Sequence, residues 1–129
     1  MRGNVDEGED FIMKVVSSEQ IAFQPVVAEG ARGTYIKELI TDRDGAPTFA
    51  MRLFEIAPGG NTPLHRHPWE HEVFILSGQG ELRAQNESHP FREGDAVFVP
   101  PDELHTFVNT GEQPLRLLCM IPVQQPCCR

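Results

Sequence analysis

The chain has 129 residues, enough for one hydrophobic core and too few for a second full-sized domain beside it. Eleven glycines and eleven prolines, set against 40% apolar residues, exclude a disordered chain and point to many turns between short segments. Nineteen acids against eleven bases leave a net charge of −8, which repels nucleic acid and anionic membranes as partners.

Residues 1–10 carry four acids with Gly3, Asn4 and Gly8, and read as a mobile acidic arm ahead of one folded unit over 11–123. Apolar or alternating stretches at 11–16, 34–40, 48–56, 72–76, 81–85, 96–99, 106–108 and 115–121 are predicted strands. Turn signals separate them at 41–45, 57–60, 77–80, 86–88, 100–101 and 109–111. Short helical turns fit at 17–21 and 102–104. Residues 124–129 form a tail that holds Cys127 and Cys128. No window sustains a 3.6-residue apolar period, and there is no internal repeat. Strands at this spacing without helical crossovers predict an all-β, mainly antiparallel sandwich or barrel. Three cysteines make no disulfide framework, no apolar run reaches membrane-spanning length, and residues 1–10 lack the apolar core of a secretory signal. The expectation is a cytoplasmic protein with no membrane partner.

Four of the five histidines fall into two groups, His65, His67 and His71 in one and His105 in the other. In extended chain, positions i and i+2 face the same side with Cα atoms roughly 6.5–7 Å apart. His65 and His67 can therefore grip one ion together. His71 follows the bend expected at Pro68 and Trp69 and opens the next strand; His105 starts another after Pro100 and Pro101. A His-x-His with a third histidine four residues on reads as a metal site. His89 joins neither group and reads as a surface residue.

These residues resemble the two motifs of the cupins. The first matches at Gly59, His65, His67 and Gly78, with His71 in the place of the motif's glutamate. The second matches at Gly94, Pro100, His105 and Asn109, with Asp102 in the place of its glycine. The chain is most similar to small single-domain cupins with a four-histidine metal site. That resemblance implies a double-stranded β-helix barrel, bound manganese or iron, and a homodimer. Glu72 also satisfies a motif spacing to glutamate, so a site of three histidines and Glu72 competes. His71 is preferred because it keeps six residues to Gly78, while Glu72 faces the other side of the strand.

Four neutral imidazoles suit Zn, Fe, Ni and Cu, and Mn less well, and they argue against Ca or Mg. Glu70 and Glu72 are candidate acceptors for the second ring N–H of a ligating histidine. Leu115, Leu117, Cys119 and Ile121 share one face of the last strand, and Ala50, Arg52, Phe54 and Ile56 share one face of an earlier one. If those faces turn inward, Arg52 is a buried cation that orients a substrate, and Phe54, Leu117, Cys119 and Ile121 wall the pocket. Trp69 is expected at its mouth. The leading expectation is a metal-dependent dioxygenase acting on a small organic molecule. The alternatives are a non-redox isomerase or lyase of a sugar or keto acid, with Glu70 or Glu72 as base, and a non-catalytic binding module.

Overall fold

The computed structural model describes residues 12–123. The acidic arm, Phe11, and the tail with Cys127 and Cys128 lie outside the described residues. Nine strands follow one another: β1 (Gln24–Pro25), β2 (Arg32–Ile40), β3 (Phe49–Asn61), β4 (His71–Ser77), β5 (Gln79–Ala84), β6 (Ser88–Arg92), β7 (Ala96–Val99), β8 (His105–Asn109) and β9 (Leu115–Pro122). The main path of the sheet runs β6-β5-β8-β3-β9-β4-β7, and β2 with β1 pairs onto β3. Every pairing is antiparallel. The sheet curls on itself into the expected all-β, double-stranded β-helix barrel.

Alternation decides the inside. On β9, Leu115, Leu117, Cys119 and Ile121 are buried, and on β3 Ala50, Arg52 and Ile56 are buried opposite them. Trp69, Val73, Ile75, Phe91, Val99, Phe107 and Val123 complete the core. The other face of β3 carries Phe49, Met51 and Leu53, apolar residues that predict burial on that side too. Leu53 is buried there, but Phe49 is 54% exposed at the strand end.

Four departures from the predicted strands have local reasons. The stretch at 12–16 is not a strand. Among the described residues it finds no ladder partner, and the Lys14 ammonium ties it to the Leu39 carbonyl and to Asp44. Strand β3 runs past the predicted turn at 57–60 because Asn61 still pairs with Arg32 of β2 and Val108 of β8. A Cβ at Gly60 would lie 2.5 Å from the Arg32 carbonyl oxygen, so only glycine lets the chains approach that closely. Strand β6 was not predicted because Pro90 interrupts it; it lies at the end of the sheet path, where a missing N–H costs no ladder bond. Strand β1 was missed because two residues carry no pattern. The turn expected at 17–21 forms as a 3₁₀ turn over Ser18–Gln20, whereas 102–104 stays irregular and a second 3₁₀ turn forms at Asp42–Asp44.

Asp102, in the glycine place of the second motif, has φ of +66°. Aspartate tolerates that left-handed conformation better than most residues do. There its N–H donates to the His67 carbonyl, tying the two histidine segments together.

Candidate metal centre

Backbone pairing assembles the histidines. The N–H of His65 donates to the His105 carbonyl at 3.2 Å, and the N–H of His105 donates back at 3.0 Å. This single antiparallel bridge sets the two side chains side by side. His67 lies two residues on and is buried; Arg66 between them is exposed. His71 opens β4, paired with Val99, and is buried, whereas Glu72 is exposed on the outer face opposite Phe98. Ring centroids lie 4.1 Å apart for His65 and His67, 5.3 Å for His65 and His105, 5.0 Å for His67 and His71, and 5.1 Å for His71 and His105.

Donor atoms of His65, His67 and His105 all lie within 4.8 Å of one another, so these three could hold a metal ion. The donor set fits one. Imidazole nitrogens suit borderline transition ions, and the Nδ1 of His105 is turned away by a 2.8 Å hydrogen bond to the Glu103 carbonyl. His71 brings its ring to the same space. Its Nδ1 lies 3.4 Å from the Cys119 sulfur, and its buried Nε2 has no hydrogen-bond partner among the described residues. The expected roles of Glu70 and Glu72 as acceptors are therefore taken, for His105 and His71, by a main-chain carbonyl and a thiol.

The cluster opens onto a cavity of about 850 Å³. Arg52, Phe54, Leu117 and Cys119 line it, as the strand alternation predicted. Ile121 does not; it is packed into the core. Trp69 is not at the mouth either. It is buried, with its ring stacked on His67 at 4.4 Å and 10°, so it backs the cluster instead. Two charged groups on the wall were missed. Glu38 lies beside Arg52 across the β2–β3 ladder, and Arg43 donates to its Oε1 at 2.7 Å. The signal for Glu38 was its place two residues after Ile36 on an inward face. Also missed was the segment at 21–28, whose Ile21, Val26 and Val27 line the cavity. That segment carries no strand pattern, so only the fold places it there.

Arg52 is 2% exposed and donates to the Cys119 sulfur at 3.2 Å. Burial pushes the His65 and His67 rings down to about 4, and the His71 ring lower still, with Arg52 and the neighbouring histidines adding repulsion. Burial also lowers His105, partly offset by its bond to the Glu103 carbonyl and by the Glu103 carboxylate. The Cys119 thiol is pushed up by burial and drawn back by Arg52. Histidines held neutral in the folded chain bind protons only after unfolding, so stability falls as pH drops below the ordinary histidine value of about 6.5. For protein stripped of metal by a chelator, the urea midpoint should hold from pH 8 to 7 and fall progressively from pH 6.5 to 4.5. His71→Phe should flatten that fall; an equal slope in the variant would count against neutral burial of His71.

The model of the cupin domain family matches residues 52–121, from Arg52 to Ile121. The polyketide cyclase RemF from Streptomyces resistomycificus is similar in structure, with a TM-score of 0.83 and 36% identity over 89% of this chain and 82% of that one. A predicted oxalate decarboxylase from Thermotoga maritima superposes with a TM-score of 0.76 and 26% identity, covering 85% of this chain and 99% of that one. The tetracenomycin polyketide synthase protein TcmJ of Streptomyces glaucescens is 26% identical over 114 residues, 87% of this chain and 76% of that protein. The paired histidine motifs, the curled antiparallel sheet and the family match agree: the chain belongs to the cupin family.

Proposed function

We propose that the chain is a metal-dependent enzyme acting on an apolar small molecule that carries a keto or phenolic oxygen. The cavity carries this reading: apolar walls converge on the histidine cluster, with Arg52 and Glu38 beside it. An ion held by His65, His67 and His105, with His71 as fourth donor, would supply Lewis acidity and, if iron or manganese, redox capacity. The buried Nε2 of His71, without a hydrogen-bond partner among the described residues, supports its place in that set, because a desolvated ring nitrogen without a partner is costly.

The protein's own groups divide the remaining work. Arg52 offers a fixed cation that orients an enolate or carboxylate oxygen. Glu38, its carboxylate held in place by Arg43, takes a proton from the carbon next to one carbonyl. That carbon bonds to a second carbonyl carbon of the same molecule, and the oxygen there takes the proton back. The hydroxyl so formed leaves as water with the second hydrogen of the attacking carbon. Ile21 and Val26 add apolar surface to the cavity wall. Similarity to a polyketide cyclase and a polyketide synthase protein favours ring-closing proton transfer over the oxygenation expected at first. The dioxygenase reading stays as the second one, supported by an all-histidine donor set that accepts iron.

The metal-loaded chain, given a panel of aromatic molecules that carry two or more keto groups, should form ring-closed products that have lost one water. It should do so without air and with zinc or nickel as well as iron, and Glu38→Gln should slow it by about 100-fold or more. Products that gain two oxygen atoms, formed only in air, would establish the dioxygenase instead. Substrates recovered unchanged with every metal would leave a binding module.

In the ligand set, His71→Ala should lower metal content after dialysis far more than Glu72→Ala, read by elemental analysis. The reverse order would move the fourth ligand to Glu72.

The homodimer is a proposal on the same footing. The outer face of β4, β7 and β9 exposes Phe74 and Phe98, at 46% and 59%, around a groove that also takes in Leu118 and Met120. A second copy covers it in this reading. Light scattering should give twice the chain mass, and Phe98→Glu should halve it; a wild-type mass of one chain would refute the dimer. We place the protein in the cytoplasm. Cys119 is a free, buried thiol, and no helix among the described residues is long and apolar enough to cross a membrane.

A further inference from the structure

We infer that Cys119 is a positioning residue of the metal centre: its sulfur fixes the His71 ring so that Nε2 faces the other histidines. The inference rests on the reading of His71 as a ligand. Cys119 lies in the middle of β9, opposite Arg52 of β3 on one side and Val73 of β4 on the other. Val73 is two residues beyond His71, so the sulfur reaches the His71 ring from the neighbouring strand. Its Sγ lies 3.4 Å from His71 Nδ1 and 3.2 Å from Arg52 Nη2.

The donor inventory fixes the direction of these contacts. A guanidinium has only donors, so the sulfur accepts from Arg52. A neutral imidazole that binds an ion through Nε2 carries its proton on Nδ1, so the sulfur accepts from His71 as well. Ligating histidines ordinarily spend that second N–H on a carboxylate, a carbonyl or water. His105 does so, through the Glu103 carbonyl at 2.8 Å. His71 has a thiol in that place. The buried Nε2 of His71, which has no hydrogen-bond partner among the described residues, is the end that this contact aims. The chain Arg52–Cys119–His71 thus links a buried cation of the cavity wall to a histidine of the cluster through one sulfur atom.

A sulfur that merely filled space on the cavity wall would leave metal binding indifferent to its replacement by a similar apolar group. The two roles therefore separate by experiment. Affinity for Co²⁺ is measured against a competing chelator, using the fluorescence of Trp69, the chain's single tryptophan, which stacks on His67. The visible spectrum of the bound Co²⁺ is recorded alongside. Cys119→Val and Cys119→Ala should each weaken binding by about 10-fold or more, in the range seen for loss of an outer partner, and shift the spectrum. Cys119→Ser, which keeps an acceptor, should recover most of the affinity. In a His71→Ala background, Cys119→Val should have no further effect. Wild-type affinity and spectrum in both apolar variants would overturn the inference, as would an undiminished loss in the His71→Ala background. If His71→Ala alone leaves affinity unchanged, the ligand reading itself fails, and the inference falls with it.

Discussion

Four imidazoles share one desolvated space, and desolvation decides their state. Each would rather be charged in water than in the barrel, so burial drives all four toward the neutral form. A neutral ring has a lone pair to give, which is also what a transition ion requires. The same burial that destabilises the empty cluster in acid therefore prepares it for a metal. Arg52 strengthens the effect, because a guanidinium kept inside the barrel makes a second positive charge costlier still.

Neutral rings repel little and attract little, so something else must hold them in register. Here the backbone does it. The bridge between His65 and His105 and the bond from Asp102 to the His67 carbonyl fix three of the four Cα positions without using a side chain. The rings are then free to spend their second nitrogens on orientation. Trp69, packed flat behind His67, closes the space on the core side. The result is a polar floor under a cavity whose other walls are largely apolar. Polar groups on those walls follow the ladder: Glu38, Arg52 and Cys119 are register partners on three adjacent strands. One transverse row of an otherwise apolar barrel thus carries much of the chemistry on the walls.

Much of this was legible in the chain itself. The spacing of His65, His67 and His71, and the placing of His105 after two prolines, marked the cluster before any fold was known. Strict alternation on β3 and β9 put Arg52, Phe54, Leu117 and Cys119 on the inside, where they are. Errors came where alternation says nothing about depth. Ile121 shares the inward face of Cys119, yet it packs into the core rather than lining the cavity. Trp69 sits between two histidines in sequence and behind one of them in space. Glu38 was passed over because a charged residue on a strand is more often solvated than turned inward.

The sequence by itself determined which residues are metal-capable, which side of each strand they take, and that turns rather than helices join the strands. Those follow from local rules: the two-residue period of extended chain, the conformational tastes of glycine and proline, and the donor chemistry of imidazole. Only the tertiary structure decided what meets what. The His65–His105 bridge, the thiol of Cys119 against His71 and the segment at 21–28 over the cavity join residues from different strands and loops. No local preference encodes such contacts. They are fixed by the register of strands far apart in the chain, and that register is settled by the burial of the whole core at once.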